Sequence, residues 1–265
     1  MDSDNIHTKS VSILATQVHA TSCKDTRSRI VIWARNKTSC YVVAANVHVV
    51  MTAYWQPHYQ QIINSAAIAT PDGMPLVWAL RLLGVAEQPR VYGPDLMLVL
   101  CEKAATEGIS IYLYGGTEAV LAKLQTNLKQ RFPTLVIAGV HSPPFRLMTS
   151  AEESNDINRI HDSGAGIVLV GLGCPKQEEW MARQQGLLQA VMVGVGAAFS
   201  FHSGEVSQSP RWMMKLGLEW LYRFAMEPRR LWRRYLVNNP AFIVLFGLQL
   251  CKNQFFSAKK SGVAD

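Results

Sequence analysis

Metal-ligand spacing is missing from this sequence. Its five cysteines (Cys23, Cys40, Cys101, Cys174 and Cys251) are an odd number, scattered, with no C-x-x-C and no histidine pair at ligand spacing. That pattern excludes a disulfide framework or a zinc site and points to free thiols in a reducing compartment. The G-x-G-x-x-G fingerprint followed by an acidic residue is also absent, which counts against a nicotinamide-dependent oxidoreductase. The single D-x-D is Asp2-Ser3-Asp4, in a polar start where a metal-holding role is not expected. That start, MDSDNIHTKS, lacks the charged-then-apolar build of a secretory signal, so nothing routes the chain outward. Long hydrophobic runs are scarce. The longest late one, PAFIVLFGLQLC from Pro240 to Cys251, is shorter than the roughly twenty residues a spanning helix needs, so it is expected to lie on a membrane rather than cross it. No repeat of fixed period and no low-complexity linker interrupts the chain.

What is present is a globular composition: 265 residues, 49% apolar and 17% charged, enough for one sizeable core with or without a small appendage. The net charge of +7 is local. Between Gln208 and Lys260 there are ten Lys/Arg against Glu219 and Glu227, a surplus of eight, whereas the rest of the chain has 16 basic and 17 acidic residues. This tail marks a place for phosphate or an anionic surface.

The segments RIVIWARN and SCYVVAANVHVV, rich in β-branched residues, both read as strands. From Ser110 onward, short apolar strands (ISIYLYG, TLVIAGV, AGIVLVGLG, QAVMVGVGAAF) alternate with amphipathic helices. The pattern is that of βαβ units, and predicts a Rossmann-like α/β core with a parallel sheet covered on both faces. The expected division is a core over 1–205, its first thirty residues weakly determined, and a helical, basic and aromatic appendage over 206–265. A core ending near Gly204 is expected to fold without that appendage.

Ligands of parallel α/β sheets sit at the carboxyl ends of the strands. Four loops there stand out. In YLYGGTEAV, Gly115 and Gly116 form either a tight turn or a place where bare N–H groups meet a nucleotide. GLGCPKQEEW puts Gln177 in the first turn of a helix, and VGVGAAFSFHSGE ends a strand in small residues. In TPDGMPLV, Asp72 lies between Pro71 and Gly73, an Asx-type turn unless it carries chemistry.

Taken together, TPDGMPLVWALRLLG, RVYGPDLM, YLYGGTEAV, GLGCPKQEEW, VGVGAAFSFHSGE and SPRWMMKLGLEWLYRFAMEPRRLWRRYL resemble, in order and spacing, bacterial glycosyltransferases of the WecG/TagA/CpsF family, from about Val42 to Leu236. The resemblance implies transfer of a hexose-type sugar from a UDP-sugar to a sugar carried on a polyprenyl diphosphate, with inversion, at the cytoplasmic face of the plasma membrane. No cofactor is implied. Asp72 matches the family's proposed catalytic aspartate and Arg90 an active-site arginine. Gln177 matches a substrate-pocket glutamine, and Arg223, Arg230 and Arg233 match arginines that the appendage folds over the site. In VVAANVH, Ala44 stands where the family often has threonine, so a hydroxyl contact is lost there, and Asn46 is carried as a weaker candidate.

The residues fit that chemistry on their own terms. Inversion by direct attack calls for one carboxylate to take the acceptor proton, and Asp72 is the best-placed loop acid. Arginines can replace a divalent ion on a departing diphosphate, because their forks bind phosphate bidentately. In EPRRLWRRYL, Arg230 and Arg233 are spaced for that role, while Arg229 and Arg234 are expected to face lipid headgroups beside Trp212, Trp220 and Trp232. The sugar expected is a neutral hexose such as glucose, with N-acetylmannosamine or its uronic acid as the alternative. A nucleic-acid module would use the same tail but gives Asp72, Gly115, Gly116 and Gln177 no task, so no nucleic-acid partner is expected.

Overall fold

A computed structural model describes residues 9–261, with side chains through Gln254. The Asp2-Ser3-Asp4 triplet lies outside the described residues. A hairpin of β1 (Ser10–Ile13) and β2 (Thr16–His19) precedes α1 (Cys23–Arg35). The central sheet holds β3 (Cys40–Ala45), β4 (Ile68–Pro71), β5 (Ile111–Gly115), β6 (Ile137–His141), β7 (Ile167–Gly171) and β8 (Val191–Gly194). All six are parallel, in the order β4-β3-β8-β7-β5-β6. Between them run α2 (Val47–Trp55), α3 (Pro57–Asn64), α4 (Met74–Leu82), α5 (Gly93–Glu107), α6 (Glu118–Arg131), α7 (Ser150–Asp162), α8 (Lys176–Gln184) and α9 (Ala198–His202). The late segment comprises α10 (Arg211–Lys215), α11 (Glu219–Met226), α12 (Pro228–Trp232), a π-helical turn Arg233–Val237, and α13 (Asn238–Ser261). The fold is Rossmann-like α/β, as the alternation from Ser110 predicts.

Both faces of the sheet are covered. Along β3, Tyr41, Val43 and Ala45 enter one apolar cluster while Cys40 and Val42 enter the other, the two-residue period of a doubly buried strand. Helices α2, α3, α4 and α8 supply the first cluster, and α1, α5 and α6 the second.

Two expected strands are corrected. RIVIWARN lies in α1, because Ser22 accepts the Asp25 N–H as an N-cap and Thr26, Ile30, Val31 and Ala34 form one buried helical face. The β-branched run is overridden by capping and by packing on the sheet. In SCYVVAANVHVV the strand stops at Ala45. Asn46 then caps a new helix, its side-chain oxygen accepting from the N–H groups of His48 and Val49 at 3.0 and 3.3 Å. The early residues are also built: the hairpin turn holds Leu14 and Ala15 at φ of 49° and 65°, and His19 Nδ1 accepts the Ala69 N–H of β4 at 3.0 Å.

The late segment is fastened to the core. Phe242 and Phe246 of α13 are buried in the cluster that contains Val47, Val50 and Met51 of α2. Gln249 accepts the Leu14 N–H and donates to the Ser12 carbonyl, both at 2.8 Å, which ties α13 to the hairpin turn. A core cut after Gly204 would leave this apolar face and the partners of Gln249 in water. Phe246→Ala should cost about 3–5 kcal/mol, the usual loss for a buried phenylalanine. Urea unfolding at constant slope measures it, and an unchanged midpoint would detach α13 from the folding unit.

Candidate active site

A cleft of about 1060 Å³ runs along the carboxyl ends of the strands. Its floor comes from the residues that follow them: Asn46 after β3, Asp72 after β4, Gly116 and Thr117 after β5, Leu172 to Cys174 after β7, and Val195 to Ala197 after β8. Its other wall is the late segment, through Glu219, Arg223, Glu227, Arg230, Arg233 and Arg234. A smaller recess of about 90 Å³ lies behind it and shares Asn46, His48, Asp72, Glu219, Arg223 and Arg234 with the cleft.

Asp72 is held from three sides. Its N–H donates to the Ala45 carbonyl at 2.8 Å, its Oδ1 accepts the Gly93 N–H at 2.7 Å, and its carboxylate is hydrogen-bonded by the Asn46 side chain. An amide serves both ends of this arrangement, since the Asn46 oxygen is used to cap α2 and its NH₂ remains to donate. Desolvation pushes the Asp72 carboxyl above the usual carboxylate range, against the opposing pull of Arg90 and the two hydrogen bonds.

Arg90 does not border the cleft. It sits behind the Asp72 loop and borders the recess. Its Nε donates to the Asp72 backbone carbonyl, its Nη2 pairs with Glu219 at 2.7 Å, and its guanidinium lies 4.1 Å over the Tyr92 ring. Tyr92 donates its hydroxyl to the other Glu219 oxygen at 3.2 Å. The expected active-site arginine is thus a residue that positions the Asp72 loop and fastens α11 to it.

The remaining candidates divide. Gln177 borders the cleft, its Oε1 accepting the Gly196 N–H at 3.2 Å and its Nε2 donating to buried Glu178 at 2.6 Å. Gly116 borders the cleft, but Gly115 does not. A Cβ on Gly115 would come within 2.7 Å of the Gly171 backbone, so that glycine serves strand packing. Arg223, Arg230 and Arg233 all reach the cleft. Arg230 is exposed and ion-paired to Glu227, and Arg233 is exposed beside Trp232. Arg229 is exposed away from the cleft, in keeping with an outward role, but Arg234 turns inward and borders both cavities. The expectation that Arg234 faces lipid is corrected by this placement.

Among the described residues, only one recessed cleft carboxylate is free to accept a proton. Glu219 is neutralised by Arg90 and Glu227 by Arg230, while Glu205 is exposed at the rim. His48 is held neutral, its pKa lowered to about 4 by burial and by Arg234. The Asn238 side-chain amide donates to His48 Nδ1 at 3.2 Å, which leaves the ring's proton on Nε2 and makes His48 a donor. Glu178 has its pKa raised to about 7 by burial, but it does not border the cleft. Asp72 remains, recessed in a cleft walled by arginines.

The family model described as "Glycosyl transferase WecG/TagA/CpsF family" matches residues 11–255. The chain belongs to the WecG/TagA/CpsF family. It is a glycosyltransferase. Among curated relatives, it is 32% identical over 197 residues to the N-acetylglucosaminyldiphosphoundecaprenol N-acetyl-beta-D-mannosaminyltransferase of Bacillus spizizenii, covering 74% of each chain.

Within this WecG/TagA/CpsF chain, three cleft residues escape the reading of the sequence. Glu219 is 129 positions from Arg90, and no local pattern announces the pairing. His48 sits in a run read as strand, where its place beside the Asn46 cap was hidden. Arg234 shares an i, i+4 face with Arg230, and both border the cleft, but only Arg234 also reaches the recess, through neighbours that helical spacing does not announce.

The buried Glu178 sets a pH test. Tyr59 donates to its Oε2 at 3.0 Å, yet burial still raises its pKa from 4.5 to about 7. Between these values the folded chain retains a proton that the unfolded chain has released, so stability falls as pH rises. Relative to the parent, Glu178→Gln should be more stable at pH 8, on the order of 2–3 kcal/mol, and nearly equal at pH 4. Asp72 adds a slope of the same sign to both proteins, so urea unfolding is compared as the difference between them. A pH-independent difference would contradict the raised pKa.

Proposed function

We propose that the protein transfers an N-acetylmannosamine-type sugar from its UDP derivative to an N-acetylglucosamine carried on a polyprenyl diphosphate. The observation that carries this reading is the recessed, proton-accepting Asp72 in a cleft walled by arginines. The glucose expectation gives way to the named activity of the Bacillus spizizenii relative, whose product is a β-linked mannosamine. From a donor α-linked to its diphosphate, that product requires inversion.

In the proposed reaction the acceptor hydroxyl attacks the anomeric carbon from the face opposite the diphosphate. Asp72 takes the hydroxyl proton as the new C–O bond forms, and the electron pair of the broken bond leaves on the β-phosphate oxygen. The Asn46 amide and the Gly93 N–H fix the carboxylate, and Gln177, immobilised between Gly196 and Glu178, lines the donor side. Cationic side chains of the late segment bear the departing charge, which gives this chemistry a route that needs no divalent ion.

The same segment supports attachment to the cytoplasmic face of an anionic membrane. Trp212, Leu216, Met226, Trp232, Ile243, Val244 and Leu248 are exposed apolar residues, with Lys215 and Arg229 exposed among them. Among the described residues no helix is long and apolar enough to cross a membrane. An interfacial mode, with apolar side chains at the acyl boundary and about 1 kcal/mol per basic residue at the headgroups, fits this composition.

Asp72→Asn preserves shape and the acceptor for Gly93. Turnover of UDP-N-acetylmannosamine on a short-chain acceptor should fall by about two to four orders of magnitude, the usual worth of a general base, with UDP affinity retained. Turnover within about threefold of the parent would remove Asp72 from that role. Activity should also persist in excess chelator, and its loss with recovery in Mg²⁺ or Mn²⁺ would overturn the ion-free route.

A further inference from the structure

Four arginines border the cleft, and their surroundings differ. Arg230 is exposed and engaged by Glu227, Arg233 is exposed and lies 5.2 Å from the Trp232 ring, and Arg223 lies 5.5 Å from the Phe201 ring. Arg223 and Arg234 are both partly exposed and border cleft and recess alike, and Arg234 is set apart by a buried donor. Its Nε is fully buried without a hydrogen-bond partner, and among the described residues no ion pair reaches its guanidinium. Desolvation is the main influence on it and works against its charge. Its neighbours supply no compensating anion at neutral pH: His48 is neutral, and burial pushes the Cys174 thiol up to about 12. Tyr235 offers only a ring face at 5.7 Å, and Asp72 acts on Arg234 through space without pairing.

A desolvated, unpaired guanidinium is costly in the free protein and is worth keeping only where an anion arrives to meet it. The site that Arg234 borders is the cleft, together with the recess behind it, and both also contain Asp72. Consecutive residues of a helix point in directions about 100° apart, so Arg233 stays outside while its neighbour Arg234 faces Cys174 and His48.

We propose that Arg234 is the residue that grips the donor's diphosphate, an assignment that rests on the glycosyltransferase reading above. Its fork takes nonbridging phosphate oxygens and meets the charge that grows on the β-phosphate oxygen as the sugar–oxygen bond breaks. Arg234 donates hydrogen bonds and keeps its protons, since the acceptor's proton goes to Asp72. Arg230 and Arg233, at the open side, draw the anion in, whereas Arg234 holds it where water is excluded and each charge-assisted hydrogen bond is stronger.

Titration calorimetry with UDP, UMP and inorganic diphosphate on the parent, Arg234→Met, Arg234→Lys and Arg229→Ala tests this, alongside thermal unfolding without ligand. Arg234→Met should weaken UDP and inorganic diphosphate by about 10–100-fold, UMP distinctly less, and lower kcat. It should also melt above the parent when no ligand is present, because an unpaired buried charge has been removed. Arg234→Lys should recover part of the diphosphate affinity, and Arg229→Ala, equal in charge change but outside the cleft, should stay within about twofold for all three ligands. Diphosphate and UDP affinities within about threefold of the parent in Arg234→Met would overturn the assignment. So would a lower melting temperature with equal losses for UDP and UMP, which marks a structural role. If Arg234→Met loses inorganic diphosphate but the parent binds UDP no better than it binds other nucleoside diphosphates, the anion site stands and the UDP-sugar reading falls.

Discussion

Arg90 lies between the loop that carries Asp72 and the helix that carries Glu219, and it binds to both. It donates to the backbone carbonyl of Asp72 and ion-pairs with the carboxylate of Glu219, while its plane rests on Tyr92. Two consequences follow from which oxygen it takes. The Asp72 loop is fixed without spending the carboxylate on a salt bridge, so that group stays desolvated and raised in pKa. The late segment is also held against the cleft by a mostly buried ion pair, an interaction whose disruption leaves an uncompensated charge and is therefore strongly resisted. The proposed base and the wall of arginines that faces it are in this way set by one side chain.

The pairing of charges across the cleft then becomes selective. Glu219 is satisfied by Arg90 and Glu227 by Arg230. Among the described residues, the partly or fully buried charged groups that border both cleft and recess without an ion-pair partner are one acid, Asp72, and two bases, Arg223 and Arg234, of which Arg234 has a buried Nε with no hydrogen-bond partner. An uncompensated charge is tolerated in a fold where the surrounding structure over-determines it, and such sites concentrate where chemistry is done. Glycosyl transfer with inversion has two such demands, a proton acceptor for the incoming oxygen and a cation for the departing one.

Legibility in the sequence followed the range of the interactions. The strands from Ile111 onward and the helices between them are local patterns of period two and 3.6, so the parallel sheet could be read before the structure. RIVIWARN could not, since its identity as helix rests on the Ser22 cap and on burial of Ile30, Val31 and Ala34 against other elements. The loops at the strand ends were legible as a group, and Asp72, Asn46, Gly116 and Gln177 do meet in one cleft. The contacts of Gly115 with Gly171 and of Arg90 with Glu219 join positions far apart in the chain, so no local pattern announces them. The arginine row is legible as one face, since Arg230, Arg233 and Arg234 all border the cleft, but which of the three meets a buried surface depends on Cys174 and His48, far away in sequence.

The late segment also explains why the proposed lipid-facing surface and the chemistry share so few residues of sequence. Exposed Trp212 and Trp232 flank the stretch that supplies Glu219, Arg223 and Arg230 to the cleft. Immediately after it, Asn238 donates to His48, and α13 sinks Phe242 and Phe246 into the core against α2. That helix begins at Asn46, whose amide holds the Asp72 carboxylate. A continuous set of contacts therefore runs from the outward apolar side chains through α13 and α2 to the proposed base. An acceptor sugar carried on a lipid has to meet its base at a fixed height above the bilayer. On the membrane attachment proposed above, a segment that is at once surface, cleft wall and core would set that height through packed contacts rather than through a flexible tether.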